Sequence, residues 1–238
     1  MRRWLQARLR QAGWTIHRWP AHRFDAMGDA LDVLHRQGFR PATVVDIGAN
    51  VGLWTDLAAA LFRAPEHHLI EPQPELQAML ARFQPPRFHV HQVALTAAGR
   101  SEVAMSGAGT GVHVAPPGTT GTIRVPAGSL DALLAARISP DRRALIKIDV
   151  ESHELEVLAG GAHVVAAAEV LIIEFHYFDI ERSGTPVLRD LLNVMHQHGH
   201  VLYDIAATHG RARDLRAQTG DAVFVRHDSP LAADTRWA

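Results

Sequence analysis

The sequence has no cysteine in its 238 residues. That absence excludes disulfides, thiolate nucleophiles and zinc–thiolate centres together, and it fits a reducing compartment. Nor is there an excess of charge of either sign. Twenty-four Lys and Arg stand against 25 Asp and Glu, a formal net charge of −1. Bulk charge therefore gives no pull toward nucleic acid or an acidic membrane. Long apolar runs are missing too. The most apolar window, 157–175, is broken by His163 and Glu169, so no transmembrane span is expected. The basic start, Met1-Arg2-Arg3-Trp4-Leu5, lacks the apolar core and cleavage site of a signal peptide. There is no internal repeat. What remains is 47% hydrophobic residues, enough for a sizeable core. A single soluble, cytoplasmic domain over 1–238 is expected.

Histidine is abundant, at 16. No pair has the spacing of a zinc-binding helix, so most are expected at the surface. His67-His68 and His196-x-His198-x-His200 fall near element ends.

The alternation of apolar periods predicts strands between helices. Residues 1–40 read as a helical extension, amphipathic around Trp4, Leu5 and Leu9, then helical over 25–38 with Met27, Ala30, Leu31 and Leu34 on one side. Strands are expected at 43–47, 68–70, 88–95, 144–150 and 170–175. Helices are expected over 52–63, from Pro74, from Ser129, from Glu154 and from Thr185-Pro186, where Thr would cap and Pro would take the first position. Strands at 201–205 and 222–225 close the chain. The Gly-, Thr- and Pro-rich stretch 101–128 reads as a β-hairpin insertion before the fourth of the main strands. It is either an elaboration of the scaffold or a wall facing the substrate. Strands alternating with helices imply an α/β fold: about seven strands, mostly parallel, with helices on both faces. The last two strands suggest an antiparallel C-terminal hairpin.

The stretch with most chemistry in it is Val44-Val45-Asp46-Ile47-Gly48-Ala49-Asn50-Val51-Gly52. It reads as strand, glycine turn and helix start, the place where α/β sheets bind ligands. The dinucleotide fingerprint G-x-G-x-x-G lacks its first glycine here, because Asp46 stands in that place. Candidate cofactor residues are Asp46, Gly48, Ala49, Asn50 and Gly52. Glu71 follows at the end of the second strand, where an ionised carboxylate can accept both hydroxyls of a ribose. Ala94, in Gln92-Val93-Ala94, falls where an adenine ring would fit. Lys147 sits between Ile146 and Ile148 in a buried strand and needs a counter-ion, for which Glu174 is the expected partner. Asp149, Glu151 and His153 emerge at that strand's tip, and His176 at the next one.

These segments resemble the FkbM family of S-adenosylmethionine-dependent methyltransferases. The resemblance rests on Val45-Asp46-Ile47-Gly48-Ala49-Asn50-x-Gly52, Glu71-Pro72, Leu130-Asp131, Ile146-Lys147-Ile148-Asp149-Val150-Glu151-x-x-Glu154, and Ile172-Ile173-Glu174. It implies the class I methyltransferase sheet, S-adenosylmethionine as cofactor, and O-methylation of a hydroxyl on a sugar or natural product. One position departs from the pattern: Ser152 stands where the family usually has glycine.

A hydroxyl acceptor must be aligned with the methyl and relieved of its proton. The candidate catalytic residues are His153 and His176 as bases, with Asp149 and Glu151 orienting them. No resident metal is favoured. The alternative is a divalent cation held by Asp149, Glu151 and a histidine. Two other functions fit a Rossmann-like sheet: an NAD-dependent oxidoreductase, and a non-catalytic nucleoside-binding module. The missing glycine and the edge hairpin count against the first. The acids and histidines at the strand tips count against the second. The expected partner is a small-molecule or glycan acceptor, not nucleic acid.

Overall fold

The computed structural model describes residues 9, 23–63, 66–97, 99–107, 109–115, 119–120, 122–180 and 184–236. The amphipathic stretch expected over 1–22 lies outside these residues, apart from Leu9. A seven-stranded sheet forms the centre, in the order β10-β11-β9-β8-β1-β2-β3. Its strands are β1 (Thr43–Ile47), β2 (Glu66–Ile70), β3 (Phe88–His91), β8 (Ala144–Ile148), β9 (Val170–His176), β10 (His200–Gly210) and β11 (Ala217–Arg226). The five from β3 to β9 are parallel. β11 runs antiparallel to β9 and to β10, so the chain closes in a hairpin at one edge. This is the mostly parallel sheet with a closing antiparallel hairpin that the sequence leads one to expect.

The central strands are apolar along their whole length because both faces are covered. In β1 all five residues are buried. Alternate side chains feed two cores. Val45, Ile47, Ile146, Ile148 and Ile173 pack on one face against α4 (Leu130–Leu134), α5 (Glu154–Ala159), α6 (Ala162–Ala167) and α7 (Leu188–Gln197). Val44, Leu145 and Ile172 pack on the other against α1 (Arg23–Arg36) and α2 (Leu53–Leu61). Met27, Ala30, Leu31 and Leu34 form the buried stripe of α1. That helix stops at Gly38, whose φ of 83° suits a residue without a Cβ.

Several elements differ from expectation. The strand expected over 88–95 divides. β3 joins the main sheet, while β4 (Ala94–Leu95) turns away to begin a second sheet of order β4-β7-β5-β6. Its other strands are β5 (Glu102–Ser106), β6 (His113–Val114) and β7 (Ile123–Gly128). The helix expected from Pro74 is a single 3₁₀ turn, Pro74–Leu76, followed by a short α3 (Gln77–Leu80). Thr185 and Pro186 do not open α7. The amides of Gly184 and Thr185 donate to Asp179 at 3.0 Å, and Asp190 accepts from Val187, so the helix starts after Val187. The closing strands reach much further than 201–205 and 222–225. Polar residues such as Thr208 and Thr219 extend the hairpin where no apolar signal marks it. The histidines are less exposed than expected: His67, His68, His176 and His200 are buried. Among the described residues, no helix is long and apolar enough to cross a membrane.

Candidate active site

The carboxyl ends of β1, β2 and β8 open onto a cavity of about 270 Å³. Its lining comes from the loop after β1, from Glu71-Pro72-Gln73, from Val93-Ala94-Leu95, from the second sheet, and from the tip of β8.

The loop after β1 is bent by three left-handed residues, Gly48 (φ 80°), Asn50 (φ 50°) and Gly52 (φ 80°). Gly48 is required by a neighbouring backbone. A Cβ there would collide with the carbonyl oxygen of Asp149. At Gly52 a Cβ would strike the Phe83 ring. The amides of Gly48 and Ala49 donate to the Ile70 carbonyl, at 3.0 and 3.1 Å. Gly48, Ala49 and Asn50 thus line the cavity. Asp46 does not line it. It lies buried behind the loop, accepts from the Thr55 hydroxyl at 2.7 Å and faces Lys147 at 3.7 Å. Burial pushes its carboxyl above the ordinary range, against the pull of Lys147 and Thr55.

Glu71 lines the cavity with both oxygens already engaged: Oε2 accepts from the Asn50 amide at 2.8 Å and Oε1 from Gln73 at 3.0 Å. Burial raises the carboxyl's pKa, and hydrogen bonds from the two amides and from the Gln73 side chain oppose that rise. Ala94 also lines the cavity.

The tip of β8 differs from expectation in its ion pairs. Lys147 donates to Asp149 Oδ2 at 3.0 Å and faces Asp46, in place of the expected pair with Glu174. The register explains this. Asp46 stands directly opposite Lys147 on β1, and Asp149 is two residues along on the same face. On β9 it is Ile172 that faces Lys147, with Glu174 one pleat further on. Glu174 instead joins Asp149 and Glu151, with one oxygen of each within 4.8 Å of the others. Those three carboxylates have the spacing of a small-cation ligand set, with Glu174 where a histidine was expected. Beyond them, Asp221 faces Glu174 across β9 and β11.

The turn that carries Glu151 is also left-handed, with φ 54° at Glu151 and 71° at Ser152. This accounts for the glycine usual at Ser152. Glu154 holds the turn from below, its buried carboxylate accepting from the Val150 amide at 3.1 Å. Burial lifts that carboxyl to about 7.

The two candidate bases are not brought together. His153 lines the cavity, but its Nε2 lies 3.4 Å from the Thr96 hydroxyl, beside the second sheet. His176 ends β9 on the face of Glu174 and does not line the cavity. Burial lowers the pKa of both, so both are neutral near pH 7.

Sequence reasoning missed Trp54, Gln73, Met105, Val112 and Val114, all of which line the cavity. Trp54 follows Gly52 by two residues, which puts it on the first turn of the helix at the loop. The other four carry no local signal, because tertiary packing alone brings them there.

Residues 46–202, well over half the chain, match the family described as Methyltransferase FkbM domain. Among solved structures, one similar chain is the 1,6-didemethyltoxoflavin-N1-methyltransferase of Burkholderia thailandensis, determined with S-adenosylhomocysteine bound. It is 14% identical with a TM-score of 0.47, over 84% of this chain and 78% of that one. A second is the precorrin-6y C5,15-methyltransferase of Geobacter metallireducens, at 13% and 0.44, over 83% and 88%. A third is an O-methyltransferase family protein of B. thailandensis, at 10% and 0.47, over 85% and 55%. A search of curated proteins finds no match. The match over 46–202 spans the glycine turn, Glu71 and the tip of β8, and the chain belongs to the FkbM family of S-adenosylmethionine-dependent methyltransferases.

Proposed function

We propose that this methyltransferase transfers the methyl group to a hydroxyl oxygen of a small molecule or glycan, at the carboxyl tips of β8 and β9. The whole chain is read as one such domain with 101–128 inserted. The observation that carries the reading is the group formed by Asp149, Glu151 and Glu174 beside Lys147. Ionised carboxylates accept hydrogen bonds and give none. A polyol offers several donors at the spacing of such a group, whereas phosphate-rich nucleic acid would be repelled.

The cofactor, when bound, supplies a methyl already activated by its sulfonium. The chain's own task is alignment and proton removal. Glu71 would hold the ribose, and the loop Gly48–Asn50 would bound the amino-acid end. Asp149 and Glu151 line the cavity and would orient the acceptor hydroxyl. His176, neutral through burial and two residues beyond Glu174, is the favoured base. His153 is the second candidate, held toward Thr96. Asp46 acts from behind as a positioning residue, fixing Thr55 and Lys147.

A second reading gives the three carboxylates a divalent cation, which would lower the hydroxyl's pKa. Their mutual spacing favours it, and the Lys147 ammonium 3.0 Å from Asp149 weighs against it.

The test is transfer from ¹³C-methyl-labelled S-adenosylmethionine to a panel of hydroxylated sugars, with and without EDTA. A methoxy carbon signal that survives mild alkali and EDTA is expected. An alkali-labile methyl ester or an N-methyl product would sink the hydroxyl reading. Full loss in EDTA, restored by Mg²⁺, would favour the second one.

A further inference from the structure

The C-terminal hairpin runs on past the strand it closes against. β11 pairs with β9 as far as Thr219 and His176, and the Tyr177 amide then donates to the Gln218 carbonyl at 2.9 Å. β10 and β11 stay paired out to Gly210 and Ala217. Because β11 is antiparallel to β9, the turn 211–216 stands on the rim that carries Glu174. That turn reads Arg211-Ala212-Arg213-Asp214-Leu215-Arg216, three arginines to one aspartate.

The aspartate is committed to the turn itself. Arg211 donates to both its oxygens at 2.6 Å, and the Arg216 amide donates to Oδ1 at 3.1 Å. The Leu215 amide donates to the Arg211 carbonyl at 2.8 Å. These bonds hold Leu215 at φ 60°, a left-handed conformation that a residue with a Cβ disfavours. The turn is therefore a fixed shape, and Arg213 and Arg216 are its remaining cations. The Arg213 side chain is 74% exposed, with Nε 3.8 Å from Asp214. The Arg216 guanidinium lies over the Phe178 ring, 4.5 Å from its centroid, and pairs with no carboxylate among the described residues. Stacking on an aromatic face leaves the N–H groups in the guanidinium plane free for bidentate pairing with a phosphate.

Charge thus changes sign across the acceptor side. Asp149, Glu151 and Glu174 gather at the strand tips. Phe178, under Arg216, follows Glu174 by four residues, no more than about 14 Å along an extended chain. An acceptor with one anionic group is turned by such a field: the acids repel the anion, the arginines draw it, and the hydroxyls are left at the acids.

We infer that the hairpin turn is an anion subsite for the acceptor, with Arg216 as the fork and Arg213 as a second cation. The acceptor is then a phosphorylated sugar or glycan whose phosphate lies remote from the methylated hydroxyl. The inference rests on the acceptor binding at the tips of β8 and β9.

The test uses glucose 1-phosphate, glucose and glucuronate at constant ionic strength. Location is read on the Nε–Hε signals of the ¹⁵N-arginine-labelled chain, and affinity by calorimetry. The Arg216 signal, assigned by its loss in Arg216→Gln, should shift saturably with glucose 1-phosphate and not with glucose. Arg213→Gln/Arg216→Gln should bind glucose 1-phosphate at least about tenfold more weakly, from lost charged hydrogen bonds. Arg216→Lys keeps the charge without the fork and should weaken it several-fold, which covers the case in which the double variant loses its fold. S-adenosylhomocysteine should bind all of these chains alike. A shift that never saturates, an affinity unchanged in the Arg216 variants, or tighter binding of glucuronate overturns the phosphate subsite. Glucose 1-phosphate bound at Arg216 with the labelled methyl on nitrogen would keep the subsite and sink the hydroxyl reading. Methylated neutral sugars with no glucose 1-phosphate binding would do the reverse.

Discussion

Gly48 and the carbonyl oxygen of Asp149 are so close that any Cβ at position 48 would collide with it. The loop after β1 and the tip of β8 are therefore built against each other. The Asp149 amide donates to Ile47 at 3.0 Å on the same seam. Gly48→Ala would add this clash to the cost of a left-handed alanine, at about 1–2 kcal/mol for the conformation alone. We expect a lower melting temperature and S-adenosylhomocysteine binding weakened by about a hundredfold or more, read by calorimetry. Unchanged binding would mean that the seam is soft.

Lys147 is nearly fully buried between two carboxylates. Lys147→Met keeps most of the volume and leaves those charges without their ammonium. Breaking a buried pair in this way costs about 3–5 kcal/mol. A urea midpoint lowered to match is expected. Asp46→Asn in the Lys147→Met background should recover part of the loss, since it removes one stranded charge.

Ser152 adopts φ 71° in the turn that presents Glu151. Ser152→Gly relieves the strain of a Cβ there, offset partly by glycine's greater freedom when unfolded. A net gain of about 0.5–1 kcal/mol is expected, seen as a melting temperature higher by about 1–4 °C. A fall would show that the Ser152 side chain has a role of its own.

The start of β2 gives the fold an acid sensitivity. His68 is stacked between His89 and His91, with Nδ1 3.0 Å from His91 Nε2. Burial, with cationic neighbours adding to it, lowers the His68 pKa to about 3, and burial beside Arg87 lowers that of His67 to about 4. In the unfolded chain both would titrate near 6.5. Between about pH 6.5 and pH 4 the unfolded state thus binds more protons, and stability falls as the pH falls. Glu154, whose carboxyl is raised to about 7, pulls the other way over the same window, so the histidine part is read as a difference: in urea titrations His68→Phe should lose less stability than the parent chain between about pH 6.5 and pH 4. The same pH dependence in both chains would contradict the neutral, buried assignment.

The residues that sequence made legible are those whose neighbours along the chain explain them. Val44 to Gly52 declares a buried strand, a turn and a helix start within nine positions. Lys147 between two isoleucines declares a buried cation. The partner of Lys147 was not legible, because strand register decides between Asp46, Asp149 and Glu174. The division of 88–95 between two sheets was hidden too: both pieces are extended, and the pairing of Ala94 with Ala127 is what separates them. His153 follows β8 and His176 ends β9, its neighbour in the sheet, yet the two do not share the cavity. One is drawn toward Thr96, and the other continues the face of Glu174.

The most direct test of the site is calorimetric binding of S-adenosylhomocysteine and NAD to the parent chain and to Glu71→Ala. The parent should bind S-adenosylhomocysteine at micromolar concentration and NAD not at all. If Glu71 takes the ribose as proposed, Glu71→Ala should weaken S-adenosylhomocysteine by about ten- to a hundredfold, from two hydrogen bonds to a charged group. Binding of NAD without S-adenosylhomocysteine, or an affinity indifferent to Glu71, would contradict the account.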